Sequence, residues 1–424
     1  MTAPSLIALV AFVAAYALVV TEDFTKLRKS KPLLLGAGLI WVMVALEHER
    51  EHVAEGLKEG LYEFGQLFLF ILVAVTYISA IRARGVFDRI SARLLSSGGG
   101  PRRAFWVTGA LAFALSPVAD NMTAALVLGS VVVAVGRGRR RFVATACTNI
   151  VVAANAGGAF SPFGDLTTLM VWQAGKVPTL EFVWLVAPAL VSWLVPAFVM
   201  QFAIERGAPD GSRRDVALGG DWPIVVLLFG ATVLTAITFH GALELPPFLG
   251  MTTGLGYYMV YCYWDCRRRG DARHPGSKVF EHVQSVEWDT MLFFFGVILC
   301  LQGLRVLGHM DAAAAILYDG LGPTPANVLV GGLSAVLDNV PVMFAVLGMD
   351  PRMGRADWLL VTLTAGIGGS LLSVGSAAGV ALMGVSEGGY TFTRHLIWTP
   401  VILLGYGGGI ALHLWIASLG AFGG

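Results

Sequence analysis

Long apolar runs follow one another along the whole chain, and short polar stretches separate them. A run of about 18 to 20 apolar residues is long enough to cross a bilayer as a helix. No charge-rich stretch of domain length interrupts the series. The pattern therefore predicts an all-α polytopic membrane protein. Its apolar segments fall at residues 4–20, 33–46, 64–81, 104–136, 142–175, 181–204, 223–240, 246–264, 290–308, 324–349, 357–386 and 395–421.

The amino-acid composition agrees with this class. Of the 424 residues, 56% are hydrophobic and 13% are charged, whereas soluble domains carry roughly 25% charged residues. The segment at 4–20 has no basic residues before it and no cleavage site, so we interpret it as a span rather than a signal peptide. The cysteines form no CxxC pattern and are expected to be buried thiols; they are Cys147, Cys262, Cys266 and Cys300.

Polar residues inside the apolar segments recur at a fixed distance. Six segments are followed by six more, and a shift of 218 residues places key positions of the first set on the second. These matches predict an internal duplication, with one repeat at residues 1–210 and the other at 219–424. The matched residues are Ser116, Asp120 and Asn121 with Ser334, Asp338 and Asn339, and Asn155, Gly157, Gly158 and Ala159 with Ser373, Gly375, Ser376 and Ala377.

Basic loops predict that the two repeats have opposite orientations. Lys and Arg concentrate in the loop at 26–31, which the positive-inside rule places in the cytoplasm, while its counterpart "HGALEL" has none. The loop after the second segment is acidic, and its counterpart at 267–278 is basic. Inverted repeats of this kind are typical of secondary transporters.

One segment in each repeat is predicted to be a re-entrant hairpin. Basic residues at 82–103 and 137–141 flank segment 104–136 on both sides, so this segment enters and leaves by one face. Its tip would carry "SPVADNMT". Segment 324–349 is predicted to be the mirror hairpin, with "SAVLDNVP" at its tip.

A second segment in each repeat is predicted to be a broken helix. Segments 142–175 and 357–386 are too long for one straight helix, and both have Gly-rich polar centres. Backbone groups freed by such a break must be satisfied by protein, water or ligand. With two hairpins that do not cross, each repeat spans the membrane five times. Both chain termini are then predicted to lie outside.

Three carboxylates lie where the hairpin tips and helix breaks are predicted to meet, namely Asp120, Asp338 and Asp165. An aspartate near the bilayer centre costs roughly 2.5–3.5 kcal/mol, so it is rarely kept without a function. A carboxylate that holds either a proton or a metal ion can exchange one for the other. We therefore predict that all three carry protons and bind the ion. Capping of a helix end is the alternative for Asp165, which has no matching aspartate in the second repeat.

Neutral polar residues beside these carboxylates are further candidate ligands, because amide and hydroxyl oxygens suit a hard cation. Each also has a structural alternative. Asn can cap a half-helix, and Ser or Thr hydroxyls in membrane helices bond to preceding carbonyls. Ser334, one helical turn before Asp338, could instead bond to that carboxylate. The candidates are Asn121, Asn155, Thr167, Thr168, Ser334, Asn339, Ser373 and Ser376.

Four stretches resemble the NhaD-type sodium/proton antiporters of the ion transporter superfamily, namely "SPVADNMTAALV", "NAGGAFSPFGDLTTLMVW", "SAVLDNVPVMFAV" and "SVGSAAGVALMG". With the hydropathy profile, the resemblance covers most of the chain. It implies exchange of Na+ or Li+ for protons across the inner membrane, without a cofactor, in the service of pH homeostasis. It also implies a homodimer in which hairpins and broken helices form a transport domain that moves against a scaffold of outer spans.

Other functions stay open at this point. A sodium-coupled dicarboxylate or anion symporter of the same superfamily is the main alternative. The resemblance implies that those carriers have Ser-Asn-Thr at the hairpin tips, where this chain has Asp. No Arg or Lys lies inside the core motifs to hold an anion. A channel is disfavoured because paired broken helices favour alternating access. The chain has no soluble catalytic domain or nucleotide motif, so an enzyme is not expected.

Overall fold

Helices make up nearly all of the described chain. A computed structural model describes residues 2–25, 27–87, 89, 100–136, 139–204, 220–269, 277–284, 286–386 and 388–420. Within these ranges the regular secondary structure is helical and no strand occurs, as the predicted all-α class requires. Parts of the predicted basic stretches at 82–103, 137–141 and 267–278 lie outside the described residues, as does the junction of the two predicted repeats.

The helices follow the predicted segments closely. The first half contains α1 (Ala3–Val20), α2 (Glu22–Thr25), α3 (Ser30–Glu47), α4 (Arg50–Ala83), α5 (Pro101–Ala119), α6 (Asn121–Val135), α7 (Arg140–Gly158), α8 (Leu166–Gln173) and α9 (Val186–Met200), with 3-10 turns at Thr179–Leu185 and Gln201–Ala203. The second half contains α10 (Trp222–Leu243), α11 (Pro247–Arg269), α12 (Ser277–Val283), α13 (Trp288–Val306), α14 (His309–Ala314, continued by a π turn at Ala315–Asp319), α15 (Pro323–Ser334), α16 (Asn339–Met349), α17 (Arg355–Gly368), α18 (Ala377–Val385), α19 (Phe392–Leu396) and α20 (Thr399–Ser418).

Seven helices among the described residues are long and apolar enough to cross a membrane without interruption. They are α1, α3, α4, the stretch Thr179–Ala203 around α9, α10, α13 and α20. Each coincides with a predicted apolar segment. The four segments predicted as hairpins or broken helices are divided into shorter helices, and the 23-residue α11 ends in the charged residues Arg267, Arg268 and Arg269.

Helix α4 begins at Arg50, well before the apolar segment predicted at 64–81. The acidic stretch that we predicted to be a loop is therefore the first part of a long helix. Its Glu, Lys and Ala residues favour helix. A Cβ added at Gly56 would lie 2.8 Å from Val306 Cγ2 and 3.1 Å from the Trp41 ring. The small residue thus lets this polar part of α4 pack closely against its neighbours.

Contacts between helices divide the chain into two units, and each unit takes helices from both halves of the sequence. In the first unit α3 packs on α1 and α13, and α4 packs on α11 and α13. In the second unit α7 packs on α5 and α6, α15 packs on α17, and α9 packs on α20. Every predicted site residue belongs to the second unit. The first unit comprises Met1–Arg84, Gly219–Gly320 and Phe344–Pro351; the second comprises Gly85–Leu218, Leu321–Met343 and Arg352–Gly424.

An ion pair joins the end of α4 to the start of α10 in the first unit. Arg84 Nη2 lies 2.8 Å from Asp221 Oδ2, and the Tyr261 hydroxyl donates to the same oxygen at 3.0 Å. Burial alone would raise the pKa of Asp221, but the hydrogen bond and charge of Arg84, with the Tyr261 hydroxyl, lower that pKa below its ordinary value. The folded protein therefore favours the charged carboxylate.

We expect Asp221→Asn to lower the Tm of the detergent-solubilised protein by an amount that depends on pH. Because the pKa of Asp221 is lowered by folding, its stabilising effect is complete above the unfolded-state pKa of about 3.9. The effect is lost as the pH falls through the folded-state pKa. Thermal unfolding of both proteins across this range tests the prediction. Asp311→Asn, at an exposed position of α14, is the control. A Tm difference that does not change with pH contradicts the prediction.

Candidate functional site

Two helices of the second unit are interrupted where breaks were predicted. The first is divided into α7 and α8, and the second into α17 and α18. Each restarted helix is capped by a side chain at its first turn. The Asp165 carboxylate accepts a hydrogen bond from the Thr167 N–H at 3.2 Å, and the Ser376 hydroxyl accepts one from the Gly379 N–H at 3.3 Å. Both predicted broken helices are confirmed.

The predicted hairpin tips are also breaks between helices. Helices α5 and α6 pack on each other and are separated by Asp120 alone, whose φ is 57°. That left-handed value is uncommon for residues other than Gly, Asn and Asp. The Asp120 carboxylate caps α6, since it accepts from the Thr123 N–H at 2.9 Å and from the Thr123 hydroxyl at 2.6 Å. The second tip is wider, because residues 335–338 separate α15 from α16.

A buried serine ties each hairpin to a broken helix. Ser116 Oγ donates to the Ala154 carbonyl at 2.6 Å, and Ser334 Oγ donates to the Ala365 carbonyl at 2.7 Å. The hydrogen bond predicted as an alternative between Ser334 and Asp338 is therefore not formed, because the Ser334 proton is donated to α17. Both serines fix the position of a hairpin relative to the helix break beside it.

We expect Ser334→Ala to lower stability by about 1 kcal/mol, the typical contribution of one hydrogen bond. Thermal unfolding in detergent measures this loss as a lower Tm. Ser130→Ala is the matched control, because the exposed Ser130 hydroxyl donates only to the Val127 carbonyl of its own helix. Equal Tm values for the two variants would show that the bond between hairpin and broken helix adds nothing to stability.

The contacts of the two broken helices correct the predicted alignment of the repeats. Ser116 and Ser334 are 218 residues apart, but the carbonyls that they bond, Ala154 and Ala365, are only 211 apart. The second half is thus seven residues shorter between its hairpin tip and its broken helix, and α16 has 11 residues where α6 has 15. Seven residues are about two helical turns, so the same face stays in phase.

The correction changes which residues correspond. At a distance of 211, Asp165 matches Ser376, and both residues cap the helix that follows a break. The predicted match between Asn155 and Ser373 is wrong, since Asn155 corresponds to Gly366. A shift without gaps could not detect this difference. The opposite membrane orientation of the two repeats stays a prediction.

Asp165 is the most enclosed of the three predicted carboxylates. Its residue is 5% exposed, whereas Asp120 and Asp338 are half-buried. Asn339 Nδ2 lies 3.2 Å from both Asp165 oxygens and donates to them. The charge of Asp338 also acts on Asp165. The second hairpin therefore reaches the break of the first broken helix, and the meeting point is Asp165 rather than a hairpin aspartate.

Two predicted ligands, of which Thr167 lies beside Asp165, have buried polar atoms without a hydrogen-bond partner. The Thr167 hydroxyl is buried and lies beside Asp165, yet no described residue gives it a hydrogen bond of ordinary geometry. The same holds for the buried Asn155 Nδ2, although Asn155 Oδ1 accepts from Asn121 Nδ2 at 3.1 Å. Buried polar atoms without partners are uncommon and call for a physical explanation. A bound cation or proton beside the Thr167 hydroxyl oxygen supplies one for that atom, whereas Asn155 Nδ2 is a hydrogen-bond donor and cannot bind a cation.

Other predicted ligands have partners within the protein. The Thr168 hydroxyl donates to the Ala159 carbonyl at 3.3 Å, which favours the structural alternative for this residue. The Ser373 hydroxyl lies 3.6 Å from a methionine sulfur. Ser376 caps α18, as described above. The contacts thus separate these three from Asp165 and Thr167.

Gly366 borders this site but was not among the predicted site residues. A Cβ added at Gly366 would lie 3.2 Å from Asp165 Oδ2 and 3.7 Å from Thr167 Oγ1. Gly366 lies on α17, so the second broken helix contributes to the surroundings of a carboxylate on the first. The sequence signal for this position is the run of small residues in "TAGIGGS". Such a run indicates a close approach but does not indicate which group approaches it.

The site can hold a small cation or a proton. Carboxylate, amide and hydroxyl oxygens are the ligands that hard cations prefer. No Arg or Lys of the described residues forms an ion pair with Asp165. The described residues also contain no group of three His, Cys, Asp or Glu side chains arranged to hold a metal ion. The oxygen ligands available here are therefore the buried Asp165 carboxylate and neutral amide and hydroxyl groups, and the charge of Asp338 acts on the same site.

Known proteins similar to this chain are transporters. A family model described as citrate transporter (CitMHS) matches residues 1–366. The Na(+)/H(+) antiporter NhaD of Alkalimonas amylolytica is 48% identical over 96% of this chain and 89% of its own length. The protein of the same name from Vibrio cholerae is 49% identical over 96% of this chain and 91% of its length.

More distant similarities extend this set. Sodium/proton antiporter 1 of Arabidopsis thaliana is 30% identical over 96% of this chain and 72% of its own length. Among solved structures, the Alcanivorax borkumensis YdaH transporter matches with a TM-score of 0.52 and 13% identity, and the match covers 98% of both chains. At that identity the structural match supports the fold alone.

Proposed function

We propose that this chain, which belongs to the NhaD family of Na+/H+ antiporters, is a secondary active transporter that exchanges Na+ or Li+ for protons by alternating access. The observation that carries the proposal is the buried Asp165 carboxylate beside the Thr167 hydroxyl, which has no hydrogen-bond partner of ordinary geometry among the described residues. The identity of 48–49% to NhaD antiporters over 96% of the chain supports the same function.

The chemistry at Asp165 is suited to holding one of two occupants. Amide N–H donors from Asn339 and Thr167 stabilise the charged carboxylate. A cation bound to that carboxylate would use the free lone pairs of the Thr167 hydroxyl as a further ligand. A proton on the carboxylate could instead be donated to the same hydroxyl oxygen. Occupation by one excludes the other, which is the requirement for exchange.

The two hairpin aspartates are proposed to assist this exchange. Asp338 directly precedes Asn339, which donates to Asp165, and the charge of Asp338 acts on the same carboxylate. Asp120 holds the first tip through Thr123 when it is charged. Both would carry protons between the site and solvent. Asn121, Asn155, Thr168, Ser334, Ser373 and Ser376 remain proposed ligands or supports of the ligands.

The family model description raises a second candidate, a sodium-coupled carrier of citrate or another carboxylate. An anionic substrate would meet the negative charges of Asp165 and Asp338, and no basic residue among those described pairs with Asp165 to hold it. Charge repulsion in a low-dielectric site is costly. The arrangement therefore favours a cation as cargo.

The location and assembly of the protein belong to the same proposal. Seven uninterrupted apolar helices among the described residues support a multi-pass membrane protein. We place it in the cell inner membrane with both termini outside, on the basis of the basic loops. We also propose that it works as a homodimer and contributes to pH homeostasis. In each protomer the second unit would be the transport domain and the first unit the scaffold.

Everted membrane vesicles that carry the protein test the function directly. The vesicles are energised to acidify their interior, and a quenched pH probe reports that acidity. We expect Na+ or Li+ to restore fluorescence in vesicles with the protein and not in vesicles without it. Citrate, added as its potassium salt, should have no effect. Proton or sodium movement that requires a dicarboxylate would reject the antiporter function in favour of the symporter.

A further inference from the structure

We propose that Gly366 determines the size of the cation that the Asp165 site accepts. This inference rests on the proposed exchange function and assigns one of its properties, the preference between Na+ and Li+, to a residue without a side chain. The sequence alone left that preference open.

Gly366 lies on the less satisfied side of the Asp165 carboxylate. Within ordinary hydrogen-bond geometry, Asp165 Oδ1 accepts from both Thr167 N–H and Asn339 Nδ2, whereas Oδ2 accepts from Asn339 Nδ2. A Cβ added at Gly366 would lie 3.2 Å from Oδ2 and 3.6 Å from Ala159 Cβ. The absent side chain therefore borders the carboxylate oxygen that accepts fewer of these hydrogen bonds.

The surroundings of Gly366 differ from those of the other glycines in the broken helices. Gly157 and Gly368 each face a backbone carbonyl, of Phe113 and Gly331 respectively, so a close helix contact explains both. The atoms nearest to Gly366 are instead a carboxylate oxygen, a methyl group and the Thr167 hydroxyl oxygen. Two of these three are oxygens that can bind a cation.

Helix geometry does not by itself require glycine at this place. The corresponding residue of the first broken helix is Asn155, which is also fully buried in a helix. Glycine in a helix interior costs roughly 0.5–1 kcal/mol relative to alanine. The space beside Asp165 Oδ2 and Thr167 Oγ1 explains why α17 has glycine here.

The size of this space should set ion preference. A cation bound between Asp165 Oδ2 and Thr167 Oγ1 lies next to Gly366. A methyl group at that position narrows the space, which disfavours Na+ more than the smaller Li+. Replacing Ala159 with glycine removes a methyl group from the same space and should favour the larger ion. The two substitutions are therefore expected to act in opposite directions.

The experiment compares wild type, Gly366→Ala and Ala159→Gly in everted vesicles. The concentrations of Na+ and Li+ that give half-maximal fluorescence recovery are measured for each protein. In Gly366→Ala we expect the ratio of the Na+ value to the Li+ value to rise about tenfold, the discrimination that one methyl group can give in a binding site. In Ala159→Gly we expect the ratio to fall. Gly384→Ala, where nothing lies within 4 Å of the added Cβ, should leave it unchanged.

The results distinguish this inference from the proposed function. In one outcome, wild type exchanges ions and neither substitution alters the ratio of the half-maximal Na+ and Li+ concentrations. That result would overturn the role of Gly366 and leave the antiporter function intact. Absence of Na+ and Li+ exchange in wild type would reject the function and the inference with it. Continued Li+ exchange by Gly366→Ala shows that the variant is folded. If Gly366→Ala does not accumulate in the membrane, the test rests on the Na+/Li+ ratio of Ala159→Gly. A ratio equal to that of wild type would then overturn the inference.

Discussion

Asp165→Asn is expected to abolish the fluorescence recovery that Na+ and Li+ produce in energised vesicles. The substitution keeps the size of the side chain but removes the negative charge and the group that takes up a proton. Removing one partner of a buried charge interaction costs about 3–5 kcal/mol. Since 1.4 kcal/mol corresponds to a tenfold change in an equilibrium constant, cation affinity should fall by at least about 100-fold.

Two further variants make this result specific. Asp311→Asn changes an exposed aspartate of α14 in the first unit and should leave exchange unchanged. Asp165→Glu retains the charge but lengthens the side chain, so residual exchange would separate the need for a carboxylate from the need for its position. The same assay on Asp120→Asn and Asp338→Asn ranks the three acids. Normal exchange by folded Asp165→Asn would remove this residue from the mechanism.

Asn339→Leu is expected to raise the half-maximal Na+ concentration by about 10- to 100-fold. Asn339 Nδ2 donates to both Asp165 oxygens, and a hydrogen bond to a charged group contributes roughly 1.5–3 kcal/mol. Leucine has a similar volume but cannot donate. The carboxylate would then be less well positioned and less well stabilised when its proton leaves. The fluorescence assay measures the change as a shift in the Na+ dependence.

The first hairpin supplies a matched comparison for this variant. Asn121 occupies the corresponding tip position, but its Nδ2 donates to the neutral Asn155 amide. A hydrogen bond between neutral groups contributes about 0.5–1.5 kcal/mol, so Asn121→Leu should change the Na+ dependence by less than about tenfold. Equal effects of the two substitutions would show that both residues act by shaping the tips and that Asn339 has no special relation to Asp165.

Much of the fold could be predicted from hydrophobicity. A membrane span needs about 20 apolar residues, so runs of that length in the sequence predict the spans. Breaks in long apolar segments are also readable, because Gly and polar residues free backbone groups that must find partners. The acidic start of α4 was wrongly predicted to be a loop, because hydropathy detects the part of a helix that lies inside the membrane and misses its polar extension.

The roles of the polar residues were harder to predict from the sequence than the helices. The repeat predicted equivalent roles for Asp120 and Asp338, whereas Asp165, which has no matching aspartate, also had helix capping as an alternative. In the folded protein Asp120 and Asp165 each cap the helix that follows them, but Asp165 is also buried and accepts hydrogen bonds from Asn339. Repetition identified the positions that the two halves share. The central carboxylate is a position at which they differ.

Composition and spacing along the chain were enough to predict the all-α class, the membrane spans, the two broken helices, and the three acids at the hairpin tips and at a helix break. These features depend on composition and spacing over a few helical turns. The packing of the helices determines which carboxylate is enclosed, which hydroxyls already have hydrogen-bond partners, and that Gly366 lies beside Asp165. Asn339 and Asp165 are 174 residues apart in the chain. A contact over that distance depends on how helices pack, and a local pattern of apolar and polar residues contains no measure of it.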